Sequence, residues 1–382
     1  MVRTIAVLAM AVVLTSCAPP EPEVAAESAP TPAPTPSATV VPPVSAFDLE
    51  CDDLVQPELM TAVWGESLQT HETRPLSVAP SNLIDASVLH DGALSCSWAL
   101  EGEGESALTL VALPQAEAAW SVAADTLVAA PYGYARAPLA DGAVVGCDDS
   151  ISWWGLACVW NATLDDVWIF VGARFLPESE ATVPSPRDNP DTSRKPLEPT
   201  TEGSLVGAIV DNALTMLAGA PRAEVPRPTQ TAPDCAELFS SPSGVSLLDG
   251  REPRGGRVEF SGDSLSRTNQ YLGGAMGFVS AERLGYVECH LPDSASQLAV
   301  SVAAAPEADW IFEQPGYHFP SPAEHIGSVT VSCAEYSCLA FAVVDGTVLT
   351  AETSSGEVGV DIARDAAAEA VAAMVDSRTV TG

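Results

Sequence analysis

Residues 107–120 read ALTLVALPQAEAAW, and residues 297–310 read QLAVSVAAAPEADW. Each begins as an apolar run suited to a strand and ends in a Glu-Ala-x-Trp block, Glu117 to Trp120 in one and Glu307 to Trp310 in the other. A Pro/Gly/Tyr turn follows both, with Pro131, Gly133 and Tyr134 answering Pro315, Gly316 and Tyr317. Both copies close on an Ala-rich amphipathic stretch, SLVGAIVDNALTMLAG at 204–219 and GVDIARDAAAEAVAAMV at 359–375. A grammar that returns in this order predicts a duplicated unit.

The cysteines repeat with it. Cys51, Cys96, Cys147 and Cys158 are answered by Cys235, Cys289, Cys333 and Cys338, two long gaps and then a short one in each set. Pairing first with second and third with fourth is favoured, giving Cys51–Cys96, Cys147–Cys158, Cys235–Cys289 and Cys333–Cys338. The short pairs flank turn-prone segments and would staple neighbouring strands, and the long pairs would tie an opening helix to a sheet. The loop-entropy model gives the long bridges about 4 kcal/mol each and the short ones about 2–3. Thiolate ligation of a metal is the rival reading, and the lack of CxxC spacing in an exported chain speaks against it.

Export is read from the first residues. Arg3 supplies a positive start, and Ile5 to Leu14 form an apolar core too short to span a membrane. Leu14, Thr15, Ser16 and Cys17 then resemble the bacterial lipobox, which implies cleavage before Cys17 and lipid attachment to it. Residues 18–45 are dense in proline and read as an extended spacer. The expected order is a signal peptide at 1–16, the lipidated cysteine and spacer at 17–45, and a first repeat at 46–219. A linker at 220–231, a second repeat at 232–377 and a tail at 378–382 complete it. The membrane is met through the lipid alone, on the extracytoplasmic face of the cell membrane.

The chain carries 51 acidic against 16 basic residues, a formal charge of −35. That balance disfavours nucleic acid, whose phosphates must be neutralised by Lys and Arg. It equally disfavours broad docking on anionic lipid. A hydrophobic content of 47% is that of a globular protein rather than of a disordered acidic tail. Low Lys with abundant Ala, Val and Pro points to a GC-rich genome.

Within the first repeat, Cys51 to Trp64 reads as a helix stopped at Gly65, and LSCSWAL (94–100) and ALTLVAL (107–113) read as a hairpin. A helix over 115–129, three strands, and a last helix over 205–217 follow. The insertion at 177–200, with Arg187, Arg194 and Lys195, reads as a loop. In the second repeat, 241–257 interrupts the opening, and glycines over 262–278 blur any helix. The predicted class is α+β: two tandem homologous domains, each an antiparallel sheet with helices on one face and two disulfides.

The run Leu94-Ser95-Cys96-Ser97-Trp98, with the opening Cys51-Asp52-Asp53-Leu54, resembles a group of actinobacterial lipoproteins with a Cys-x-Trp strand and no assigned activity. The disulfide pattern is similar to the extracellular sensor domain of actinobacterial receptor kinases, a two-disulfide α+β module. In the second copy, Cys289-His290-Leu291 lacks the tryptophan. The resemblance implies a binding or interaction module without established catalytic residues.

The chain carries few signatures of chemistry. His71, His90, His290, His318 and His325 form no HExxH, and the chain has neither a G-x-S-x-G elbow nor a P-loop. Asp148, Asp149, Asp165 and Asp166 are read as solvated turns before Ca²⁺ ligands. Trp153 and Trp154, on the turn between Cys147 and Cys158, are candidate binding residues together with Tyr134 and Tyr317. No catalytic residue, metal or cofactor is expected. The expected function is a non-enzymatic, lipid-anchored envelope protein that binds or scaffolds an unknown ligand or protein partner. The alternatives are an envelope hydrolase using paired carboxylates and a carrier of an apolar envelope lipid.

Overall fold

The computed structural model describes residues 43–66, 68–70, 80–100, 106–128, 135–136, 143–148, 157–174, 201–261, 274–291, 298–313, 323–334, 337–354 and 359–381. The first sheet is built from β1 (Gln69–Thr70), β2 (Leu94–Ala99), β3 (Ser106–Leu113), β4 (Ala135–Arg136), β5 (Val144–Asp148), β6 (Ala157–Leu164) and β7 (Val167–Arg174). The second is built from β8 (Arg254–Arg257), β9 (Val287–His290), β10 (Val300–Ala305), β11 (Glu324–Ile326), β12 (Val329–Cys333), β13 (Ser337–Val344) and β14 (Thr347–Ser354). Their strand orders are β1-β2-β3-β7-β6-β5-β4 and β8-β9-β10-β14-β13-β12-β11. Counting from the first strand of each sheet, the two orders are identical, and the described pairs are antiparallel.

Nine α-helices are described: α1 (Cys51–Leu54), α2 (Pro57–Trp64), α3 (Pro80–His90), α4 (Glu117–Val128), α5 (Thr201–Gly219), α6 (Cys235–Leu238), α7 (Pro242–Leu248), α8 (Gly274–Arg283) and α9 (Val360–Thr381). The helix expected over 51–64 is broken in two. Val55 and Gln56 are extended, and the proline after Gln56 disfavours a helical residue before it while suiting the first turn of α2. Gly65 ends α2 in a left-handed conformation.

The helices do not lie on one face, which corrects the expected arrangement. On the outer face of the first sheet, Leu108, Leu110, Trp160 and Ile169 pack under Ile209, Val210 and Leu214 of α5 and Leu54 of α1. On its inner face, Val111, Leu113, Val159, Trp168 and Phe170 pack under Trp120, Ala123, Ala124 and Leu127 of α4. The second sheet packs its outer face on α9 and its inner face on Trp310 and Ile311 of a 3-10 helix (Asp309–Glu313). The cause is legible in β7, whose Val167 to Val171 are all buried, so both faces need cover.

The repeats are not separable in space either. Residues 40–382 form one compact unit. Met276 and Val279 of α8 complete the inner core of the first sheet, while Leu83, Ile84 and Ala86 of α3 complete that of the second. Each helix therefore lends its early turns to the other copy's core. The crossing is made close by small residues: a Cβ on Gly277 would come within 2.9 Å of the Ile84 carbonyl oxygen. Ser87 Oγ donates to Gly277 O at 2.9 Å and also to Ile84 O.

Disulfides join Cys51 to Cys96, Cys235 to Cys289, and Cys333 to Cys338. Cys147 lies opposite Cys158 in the register of β5 and β6, and Cys158 is disulfide-bonded. The linker is part of the fold, with Ala223 N donating to Ala46 O at 2.8 Å and Arg222 bridging Phe47. No tail begins at 378: α9 runs to Thr381, and Arg378 donates to Thr347 Oγ1 at 3.1 Å.

Candidate functional site

Two polar groups stand out among the described residues, one at the seam between the copies and one on the second sheet. The seam is set by how α3 and α8 end. Both finish in a Schellman motif: Gly92 N and Ala93 N reach back to Leu89 O and Val88 O, and Gly285 N and Tyr286 N reach back to Glu282 O and Ala281 O. The matched glycines have φ of +79° and +69°. This aligns Asp91 with Leu284 and His90 with Arg283.

Asp91 is buried, its side chain fully covered, at the C-terminal end of a helix where a negative charge is disfavoured. Two guanidinium groups answer it. Arg227, from the linker, pairs with Oδ1, and Arg283, from α8, pairs with Oδ2 at 2.9 Å. Arg283 also donates to the carbonyl oxygens of Pro114, at 3.1 Å, and Gln115. Burial pushes the Asp91 carboxyl above the usual carboxylate range, while Arg283 and Arg227 pull it back. One carboxylate thus ties α3, the linker and α8 together.

Beside it, Tyr286 and His90 meet with Oη 3.3 Å from Nδ1. Burial holds the imidazole down at about 4, with the positive charge of Arg227 adding to it and Glu307 opposing. Burial also pushes the Tyr286 hydroxyl up, so the phenol keeps its proton beside neutral His90, and the imidazole tautomer sets which of the two donates. Trp310 meets the His90 ring edge-on with centroids 6.0 Å apart. Glu307 accepts from Thr229 N at 2.8 Å and Thr229 Oγ1 at 2.7 Å. Burial pushes that carboxyl up, but the Thr229 and Gln230 hydrogen bonds outweigh it and hold the group below its ordinary value.

Glu307 also revises the repeat alignment. The residue that shares its positive φ (51°) is Gln115 (φ 55°), not Glu117. The next residues confirm the match, since Ala116 N donates to Asp166 O and Ala308 N to Gly346 O, in the equivalent β6–β7 and β13–β14 turns. The Glu-Ala-x-Trp likeness is therefore shifted by two residues at its glutamate, and Glu117 opens α4 instead.

The second group runs across the second sheet. Arg254, His290, Ser301, Glu352 and Leu339 stand opposite one another on β8, β9, β10, β14 and β13. His290 Nδ1 lies 3.0 Å from Ser301 Oγ, and its Nε2 is 3.9 Å from Glu288 Oε1. Burial pushes the Glu352 carboxyl above the usual range. The same row of the first sheet holds Ser97, Thr109, Gly172 and Val159. One copy carries ionisable groups where the other carries small neutral ones.

Cys17, Tyr134, Trp153, Trp154 and Tyr317 lie outside the described residues, as do His71, His318, Asp149, Arg187, Arg194 and Lys195. His325 is on exposed β11 with Nδ1 3.1 Å from Thr330 Oγ1. Asp165 and Asp166 make the β6–β7 turn, and Asp166 pairs with Arg222. Among the described residues no group of three or more His, Cys, Asp or Glu is placed to hold a metal ion, and no helix is long and apolar enough to cross a membrane. Sequence reasoning passed over Asp91, Arg227, Arg283, Ser301 and Glu352; none sits in a motif, and only pairing across the chain gathers them.

No family model matches the chain, and neither a curated protein nor a solved structure matches it.

Proposed function

We propose that the chain is a non-enzymatic, lipid-anchored cell-envelope protein whose two repeats work as one binding or scaffolding body. The repeats are copies of one ancestral unit, and the ligand-facing differences between them mark where function was added. The observation that carries this reading is the row Arg254, His290, Ser301 and Glu352 on the second sheet, set against Ser97, Thr109 and Gly172 on the first. Disulfides support an oxidising compartment, and Leu14 to Cys17 support the lipid anchor.

The test has two arms. Cys17→Ser should move the protein from the membrane fraction to the soluble one and abolish labelling by radioactive palmitate. Native mass spectrometry of the protein purified from its envelope should then reveal a retained ligand or partner, lost when Arg254 and Glu352 are replaced by Ala and Gln. A protein that carries nothing, and whose fractionation ignores Cys17, would end the proposal.

The hydrolase alternative is favoured by one observation, since Glu352 shares a sheet face with Glu288 and burial raises its carboxyl above the usual range, the direction a general acid needs. Loss of a glycan-cleaving activity in Glu352→Gln would favour it. A lipid carrier needs an apolar cavity between sheet and helix; between the first sheet and α5 the described side chains pack directly on one another.

A further inference from the structure

β8 is the outermost strand of its sheet, pairing with β9 alone among the described strands. It reads Arg254-Gly255-Gly256-Arg257, and both arginines are exposed. In a chain with 16 basic against 51 acidic residues, Arg251, Arg254 and Arg257 fall within seven positions. Neither Arg254 nor Arg257 has an ion pair or side-chain hydrogen bond among the described residues. Short edges are one device by which sheets avoid unwanted pairing, and charge is another. The equivalent edge of the first sheet, β1, has two residues and no charge, whereas β8 is twice as long and basic.

We propose that the outer edge of β8 docks an extended acidic segment of another polypeptide, which adds to the second sheet as a further strand. The proposal rests on the scaffolding reading and names the partner's chemistry. Backbone pairing supplies the attachment and the side chains supply the choice. Arg254 shares a face with His290, and Arg257 points to the opposite face with Val287. The fitting segment therefore carries two carboxylates three residues apart, one on each face. Gly255 is fixed by space, since a Cβ there would meet the Glu288 carbonyl oxygen at 2.4 Å. At Gly256 a Cβ would meet nothing within 4 Å, so a large side chain of the incoming strand has room beside it. A second copy of this chain is disfavoured as occupant, because pairing two β8 edges would set arginine against arginine.

The experiment measures binding of labelled peptides to the full chain in detergent by fluorescence anisotropy, at low and physiological salt. The probes are Thr-Glu-Thr-Val-Glu-Thr-Val-Thr, its glutamine counterpart, and a version with proline at the central threonine and valine. The acidic peptide should bind, and the other two should bind at least tenfold more weakly. The double variant Arg254→Glu, Arg257→Glu should lose at least tenfold for the acidic peptide, and hydrogen exchange at β8 should slow only in the wild type. Equal binding by the proline peptide would overturn strand addition and leave mere charge attraction. Retention on phosphatidylglycerol vesicles that the arginine variant loses would overturn the peptide partner in favour of membrane. If an envelope partner is retained regardless of both arginines but lost in Glu352→Gln, the β8 proposal falls while the scaffolding reading stands.

Discussion

The two sheets share a strand order but not a covering. Over the inner face of the first lies α4, twelve residues long, with four side chains in the core; over the second lies a five-residue 3-10 helix with two. The loan of helices tilts the other way, since α8 gives the first sheet Met276 and Val279 while α3 gives the second Leu83, Ile84 and Ala86. The sheet with less cover from its own stretch of chain leans harder on its neighbour. Two sheets of one strand order can thus depend on each other unequally, and that asymmetry can be broken experimentally.

The largest effect should come from cutting the chain at the linker. Expressed alone, neither half should reach a cooperative fold, and the second should be the worse, with three borrowed core residues missing against two. Near-UV circular dichroism of each half and of the co-expressed pair checks this. Native-like signal from the second half alone would show that the borrowed helix is dispensable.

Next comes the seam. Asp91→Leu installs the residue that the second copy has at the matching place, Leu284, yet it leaves Arg227 and Arg283 facing an apolar group. Breaking a buried pair in this way costs about 3–5 kcal/mol, and with both arginines partly exposed the lower end is expected. Urea unfolding measures it. A loss under 1 kcal/mol would mean that the ion triad is decoration on an apolar interface.

His90 and its counterpart Arg283 sharpen the comparison through pH. Its folded form, held down at about 4, takes a proton on unfolding only between that value and about 6.5. Its stabilising share is complete above that value, falls as pH drops toward 4, and is constant below. The window is worth about 3 kcal/mol. His90→Gln should flatten the wild-type slope between pH 6.5 and 4; parallel slopes would place the pH dependence on other groups.

How far the sequence foretold this depends on whether a signal was local. The cysteine order and the strands around Cys96, Trp160 and Ile169 were legible, because covalent spacing and apolar runs survive any packing. The helix α3 was not. Leu83, Ile84 and Ala86 face the second sheet while Val88 faces the first, so its apolar residues follow no single stripe. In α8, Gly277 reads as a breaker but serves as the point of closest helix approach. The glutamate of the repeat block was misaligned because Gln115-Ala116 is followed at once by Glu117-Ala118, and only backbone φ tells which pair answers Glu307-Ala308. The seam cluster was invisible for a different reason: Asp91, Arg227 and Arg283 lie far apart in sequence, and nothing local distinguishes a buried acid from an exposed one.

The smallest effect separates the two Schellman glycines. Both hold a left-handed conformation, which costs an L-residue about 1–2 kcal/mol. Alanine at Gly285 would meet Thr231, its Cγ2 nearest at 3.6 Å, which is ordinary contact. Alanine at Gly92 would meet Val225 Cγ2 at 2.3 Å and Ala46 Cβ at 3.3 Å, in the layer where the linker crosses the start of the first repeat. Gly285→Ala should therefore cost the conformational amount alone, and Gly92→Ala should exceed it by about 1 kcal/mol for displacing Val225. Gly92→Ala combined with Val225→Ala removes the clash and should return the difference to near zero, after correction for the lost valine. If the two glycine variants unfold at the same urea concentration, the linker is looser against the first repeat than the contacts at Ala46 and Ala223 imply.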